Sequence, residues 1–235
     1  MKIGIFTDIH ANLPALEKSL QFFEKEGCDQ IIHIGDMIGI GPYPKECLEL
    51  AFTYPNLECV MGNHDYYFAH GLPDKNWMSE EEIAHQNWTH DQLKDELKEE
   101  VAKWPFQIDI QLKDDYKISF LHYALKENGW DFKSIAKDPD EKSMDEVFAE
   151  VDANLILFGH HHIYHYFKTQ KEYFNPGSAG CWNKPIARLA ILQLKEGELD
   201  LKRVFSPYKD GDLMKAFDDR KVPSRDFIRK VFINR

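Results

Sequence analysis

Cysteine is scarce: four residues in 235, with no Cys-x-x-Cys pair among Cys28, Cys47, Cys59 and Cys181. That spacing excludes a zinc knuckle and a disulfide scaffold, so reduced, partly buried thiols are expected. Basic residues are outnumbered, 29 against 40 acidic ones, leaving a formal charge of −11. No basic run exists to displace counterions from a nucleic-acid backbone, so a long nucleic acid is not an expected partner. No stretch approaches the ~20 apolar residues of a membrane helix. Met1-Lys2 opens directly onto a strand-like run containing Asp8, unlike a secretory leader. A soluble cytoplasmic protein with no membrane partner is the expectation. Internal repeats and low-complexity tracts are absent as well.

What is present is an ordinary globular composition, 43% hydrophobic with 13 glycines besides, on a chain long enough for a large α/β domain. Residues 2–7 read as a strand. Leu13, Leu16, Leu20 and Phe23 give one apolar stripe to a helix from Leu13 to Glu26, with Gly27 at its exit. A strand over Gln30–Ile34, a helix over 44–52 and a strand over Glu58–Met61 follow. This alternation predicts parallel strands joined by right-handed crossovers, with ligands beyond the carboxyl ends of the strands. Ser79-x-x-Glu82 is a capping box that opens a helical, cap-like segment over 71–105. Phe106, Ile108, Ile110 and Leu112 alternate as a half-buried strand, and Asp114-Asp115 turns it into a partner at Lys117–Leu121. Ser143-x-x-Glu146 predicts another short helix, and Asn154–Phe158 a buried strand. Further strands are expected near 164–168, 172–174, 187–195 and 198–204, then a tail of two surface helices over 211–235.

Histidine, 11 residues in all, carries the chemistry. Asp8 and His10 share one side of a strand end, and His160 and His162 repeat that spacing. Asp36 follows Gly35, Asn63 and His64 follow Gly62, and His122 ends a strand. Mixed imidazole and carboxylate ligands suit Mn²⁺, Fe²⁺, Co²⁺ or Zn²⁺. One ion cannot use so many ligands. Two ions about 3.5–4 Å apart can, and such pairs hydrolyse phosphate esters.

With these motifs in view, Asp8-Ile9-His10-Ala11-Asn12, Gly35-Asp36, Gly62-Asn63-His64-Asp65, His122 and Gly159-His160-His161-His162, the sequence resembles the calcineurin-like metallophosphoesterases. The resemblance runs from Lys2 to about Leu194. Gly39-x-Gly41-Pro42 and Asn175-Pro176-Gly177-Ser178 resemble its small prokaryotic branch, which includes phosphodiesterases and dinucleoside tetraphosphate hydrolases. The resemblance implies an α/β fold, two β-sheets in a sandwich flanked by helices, over a single domain 1–235. It implies Asp8, His10, Asp36 and His162 on a first metal and Asp36, Asn63, His122 and His160 on a second, with Asp36 bridging. The ions would be Mn or Fe, with Zn, Co or Ni as alternatives. His64 is then the expected acid or charge-stabilising residue, oriented by Asp65.

The sequence departs from the family at three places. Gly39-Ile40 stands where the protein phosphatases carry Asp-Arg, which argues against a phosphoprotein substrate. Tyr123 follows His122 where Gly is common, and its phenol has two readings, narrowing the pocket, which is preferred, or turning into the core. His161 holds a variable position and is expected to be exposed and no ligand. Asn12 has two readings, helix cap or substrate contact. Tyr66 and its aromatic neighbours are candidates for stacking a nucleobase. The expected activity is that of a phosphodiesterase or nucleotide pyrophosphohydrolase on a small phosphorylated substrate, such as a dinucleoside polyphosphate; a broad phosphomonoesterase, or a metal-free scaffold role, is the alternative.

Overall fold

The computed structural model describes residues 1–73, 78–112, 115–195 and 198–233. The chain opens with β1 (Lys2–Phe6), α1 (Leu13–Glu26), β2 (Gln30–Ile34), α2 (Pro44–Thr53), β3 (Leu57–Val60) and α3 (Asn63–His70). Next come α4 (Glu80–Asp91), α5 (Asp95–Val101), β4 (Gln107–Gln111), β5 (Lys117–Leu121), α6 (Glu141–Val147) and β6 (Leu155–Phe158). The strands β7 (His165–Lys168), β8 (Glu172–Asn175), β9 (Ile186–Lys195) and β10 (Glu198–Pro207) precede α7 (Gly211–Asp219) and α8 (Arg225–Ile228). A π-helical turn over Arg229–Ile233 continues α8.

Ten strands form two five-stranded sheets, ordered β10-β9-β1-β2-β3 and β4-β5-β6-β8-β7. The β1-β2-β3 and β5-β6-β8 pairings are parallel, as the strand–helix alternation predicts for the first sheet. Period-2 alternation makes the sandwich. Ile3, Ile5, Ile32, Ile34 and Val60 point from one sheet at Ile118, Phe120, Leu155, Leu157 and Phe174 of the other. The opposite face of the first sheet packs on Leu16, Leu20 and Phe23 of α1 and Cys47 and Leu48 of α2. The opposite face of the second, with Ile156, Phe158 and Tyr173, packs on Met144 of α6. Helices therefore flank both sheets, and the parallel strands end at one edge of the molecule.

Several local expectations hold in detail. α1 spans the predicted residues, is capped by Asn12 and leaves through Gly27 at φ +66°. Ser79 caps α4 by accepting the Glu82 N–H. The 71–105 segment holds α4 and α5. Others need correction. Asn63 and His64 lie in the first turn of α3, a helix whose weak amphipathic pattern hid it. The cap of α6 is Asp140, which exchanges hydrogen bonds with Ser143, so that helix starts earlier than Ser143-x-x-Glu146 suggests. The tail is not superficial: Leu213, Phe217, Val222, Ile228 and Ile233 are buried with Ile40 and Cys181 against the strand ends. Of the Asp114-Asp115 turn, Asp114 lies outside the described residues, as do residues 234–235 of the tail.

Candidate metal centre

Every polar cluster singled out in the sequence lies just beyond a strand at the same edge. Asp8 and His10 follow β1, Asp36 follows β2, Asn63 and His64 follow β3, His122 follows β5, and His160 and His162 follow β6. Asp8, His10, Asp36, His160 and His162 have φ of 53°, 50°, 61°, 67° and 59°. This is the left-handed region that non-glycine residues use sparingly, at a cost of order 1–3 kcal/mol each. The two loops are pinned together by hydrogen bonds from the N–H groups of Asp8, His10 and Ala11 to the carbonyls of Gly35, Asp36 and Met37, at 3.0, 3.0 and 2.9 Å.

Backbone carbonyls set the imidazole tautomers. His10 Nδ1 donates to the Ile38 carbonyl at 3.2 Å, and His122 Nδ1 donates to that of Ile34 at 3.0 Å. Each therefore turns Nε2 toward the shared centre, the arrangement metal-binding histidines use. His10 Nε2 lies 2.8 Å from His162 Nε2; His122 Nε2 lies 3.1 Å from His160 Nδ1 and 3.2 Å from Asn63 Oδ1. Asp36 Oδ2 stands between the two groups, 3.7 Å from His10 Nε2 and 3.3 Å from His122 Nε2. Asp8 Oδ1 is 3.4 Å from His162 Nε2, while its buried Oδ2 has no hydrogen-bond partner among the described residues.

Ring nitrogens facing one another and an orphaned buried carboxylate oxygen are costly without a cation between them. The donor chemistry fits borderline divalent ions, so the seven residues fit a two-metal site. Burial raises the Asp36 carboxyl, but His122 and His64 outweigh it and hold it well below the usual range. Burial likewise depresses His122, yet Asp36 beside it prevails and pushes it up to about 9. His160, buried and facing His122, falls to about 3.

His64 is half-buried beside this centre, its ring edge-on to His10 at 5.1 Å between centroids. Its Nδ1 lies 2.9 Å from Nε2 of Gln86 on α4. The sequence expectation that Asp65 orients His64 is corrected by the structure. Asp65 is fully buried and accepts from the N–H groups of Gly62, Asp36, Met37 and Ile38 at 3.1, 2.8, 3.1 and 3.3 Å. It therefore holds the Asp36 loop against the start of α3. Gly62 permits that approach, since a Cβ there would strike the N and Oδ1 of Asp36.

Three more expectations change. Tyr123 is fully buried, with its ring on Phe148 and Phe158 and its hydroxyl accepting from Ala136 N–H at 3.3 Å. It offers no face to a substrate. His161 is half-buried rather than exposed, its Nε2 3.0 Å from the Tyr123 hydroxyl and its Nδ1 3.2 Å from His165. Asn12 spends its side chain on structure: Oδ1 accepts from Ala15 N–H at 3.1 Å, and Nδ2 donates to the Gly180 carbonyl and the Tyr208 hydroxyl. Its cap reading stands and its substrate reading falls. Tyr66 remains half-buried beside the site, stacked on Trp130 at 5.5 Å with an 11° interplanar angle.

Two cavities meet over the centre and share Asn63, His160, Glu82 and Ile135. One, of about 600 Å³, is walled by His64, Gln86 and the tail residues Phe227, Ile228, Val231 and Phe232. The other, of about 420 Å³, is walled by Tyr66, Tyr67, Trp130 and Phe132. Sequence reasoning missed Gln86 and the tail wall. The spacing of Phe227, Ile228, Val231 and Phe232 marked an apolar helical face, but nothing in it located its neighbour.

Residues 1–197 match the family profile described as calcineurin-like phosphoesterase superfamily domain. The chain belongs to that superfamily. As a calcineurin-like phosphoesterase it is a metal-dependent enzyme acting on phosphate esters. Its relatives include the uncharacterized protein MJ0912 of Methanocaldococcus jannaschii, 30% identical over 92% of this chain and 90% of the relative. A metallophosphoesterase from Sphaerobacter thermophilus superposes with a TM-score of 0.72 at 24% identity, covering 98% of each chain. The hypothetical protein PH1004 from Pyrococcus horikoshii OT3 gives 0.79 at 18% identity, covering 100% of this phosphoesterase and 98% of that chain. These two likenesses establish the sandwich fold. No helix of the phosphoesterase, among the described residues, is long and apolar enough to cross a membrane.

Proposed function

We propose that the chain is a phosphodiesterase for small nucleotide esters, with Asp8, His10, Asp36 and His162 holding one divalent ion and Asp36, Asn63, His122 and His160 the other. The observation that carries the diester reading is the meeting of two organic-lined cavities at Asn63 and His160. A monoester has one arm to place, whereas a diester has two. The Tyr66–Trp130 pair suits a nucleobase, whose stacking on an aromatic ring is worth ~1–3 kcal/mol. The Phe227–Phe232 wall suits the other, less polar arm.

When bound, two divalent ions supply charge for the phosphoryl oxygens and a nucleophile at neutral pH. His64, in the wall of the larger cavity next to the shared Asn63, is the proposed acid for the departing oxygen, and Gln86 holds its Nδ1. Among the described residues, arginine and lysine are missing from the lining of the larger cavity, which instead carries Glu81 and Glu82. In the smaller one, the ammonium of Lys126 pairs with Asp131 and that of Lys133 donates to the Val147 carbonyl. Among the described residues, the two walls thus offer little charge to compensate a polyphosphate, which favours a single phosphodiester over a dinucleoside polyphosphate. Mn²⁺ and Fe²⁺ are the proposed ions.

The test is a matched panel on the manganese-loaded chain: nucleoside 5′-nitrophenyl phosphate diesters, nucleoside monophosphates and dinucleoside polyphosphates. The nucleoside diester should lead in kcat/KM, and Tyr66→Ala should lower it about 5-fold or more. Monoesters ahead by tenfold would make the chain a phosphomonoesterase.

A further inference from the structure

Cys181 lies in the loop after β8, outside every motif singled out in the sequence. Its Sγ and the nearest ring nitrogens of His10 and His162 all fall within 4.8 Å of one another. No other cysteine belongs to such a group among the described residues. The residue is 5% exposed. Its loop is fastened to the strand end that bears Asp8 and His10. Ser178 Oγ donates to the Asp8 carbonyl at 2.7 Å and accepts from Cys181 N–H at 2.7 Å. Ala179 N–H and Gly180 N–H donate to the carbonyls of Thr7 and Asp8 at 2.9 and 3.1 Å. The buried Arg188 guanidinium donates to the carbonyls of Ser178 and Cys181, both at 2.9 Å. The backbone of Cys181 thus has a fixed position relative to His10. The fully buried Asp8 carboxylate faces the same two imidazoles, its Oδ1 3.7 Å from His10 Nε2 and 3.4 Å from His162 Nε2.

We infer that Cys181 is a ligand of the first metal, joining Asp8, His10, Asp36 and His162. Imidazole nitrogen and thiolate sulfur on one five-coordinate ion, at about 2.1 and 2.3 Å from it, stand roughly 3.1–3.8 Å apart at adjacent positions. That spacing lies inside the limit the three residues meet. On binding, the S–H bond breaks, its proton leaves to solvent and a sulfur–metal bond forms; no oxidant or reductant is needed. The two sites then differ in kind. The first has a soft donor and favours Zn²⁺, Fe²⁺ or Co²⁺, whereas the second, with the Asn63 amide oxygen and no sulfur, is the better place for Mn²⁺. This inference rests on the metal-ligand assignment above, not on the identity of the substrate.

X-ray absorption at the zinc edge of the full chain loaded with two zinc ions tests it without a variant. A sulfur shell at about 2.3 Å is expected beside the nitrogen and oxygen shell. Cys181→Ser should abolish that shell, and Cys47→Ser should leave it in place. In the cobalt-loaded chain, a thiolate-to-cobalt charge-transfer band should appear and vanish with the same Cys181→Ser change. Two bound zinc ions with nitrogen and oxygen neighbours alone would overturn the inference and leave the metal centre intact. A chain that retains no metal would overturn both.

Discussion

Nε2 of Gln86 lies 2.9 Å from Nδ1 of His64, joining α4 to the first turn of α3. Gly39-Ile40 stands where the protein phosphatases carry Asp-Arg, and a neutral amide from a different element contacts the imidazole. An amide can fix the ring plane without adding negative charge beside it. Helix α4 thereby becomes part of the wall beside the candidate centre.

His64→Ala should keep both metals and lower kcat by roughly 10²–10⁴, the range for losing a general acid. The loss should shrink with a nitrophenolate leaving group, which needs no proton. Gln86→Ala should cost less, roughly 3- to 10-fold in kcat with KM unchanged, as one net hydrogen bond is worth about 0.5–1.5 kcal/mol. Steady-state kinetics on good and poor leaving groups checks both. Equal losses for every leaving group would assign His64 to phosphate positioning.

The metal-free chain should lose stability between about pH 7 and 8.5. Its folded His122 is pushed up to about 9, above the ordinary histidine value near 6.5. The folded state therefore keeps a proton that the unfolded state has given up. That contribution is complete below about 6.5 and disappears as pH rises through 9. The slope is about 1 kcal/mol per pH unit. Denaturant titrations at several pH values should show it, and saturating metal, which displaces that proton, should remove it. A flat profile without metal would contradict the Asp36–His122 pairing.

Tyr123→Phe should destabilise the fold by about 0.5–1.5 kcal/mol, because the half-buried Ala136 N–H loses its acceptor. Asn12→Ala should cost about 0.5–2 kcal/mol through the lost cap of α1. Neither should alter the ratio of kcat/KM between nucleoside and simple diesters. A changed ratio, read from the same substrate panel, would return that residue to the substrate wall.

The sequence disclosed much of the centre because strand ends and turns have local signatures. Asp8-x-His10, Gly35-Asp36 and His160-x-His162 each sit where an apolar run stops. Parallel strands bring such stops to one edge, as the structure shows. α1 was equally legible, from its leucine stripe and the Asn12 and Gly27 boundaries. What could not be read depends on contacts distant along the chain. Gln86 is an unremarked position on a charged helix until α4 folds over His64. Tyr123 sits beside a metal-site histidine in sequence, yet strand alternation turns it toward Phe148 and Phe158. Asp65 follows His64, but its carboxylate is taken by the N–H groups of Asp36, Met37 and Ile38, while the His64 ring meets Gln86 of α4. Cys181 has a site only because β8 returns beside β6, so that the following loop meets β1.

The central claim is that two ions share Asp36 among seven side chains from five strand ends. Anomalous diffraction from a crystal of the manganese-loaded chain, collected at the manganese edge, tests it most directly. Two anomalous peaks roughly 3.5–4 Å apart are expected, with Asp36 Oδ2 between them, His10 and His162 on one side and His122, His160 and Asn63 on the other. A single peak, or two peaks that Asp36 does not join, would contradict the account.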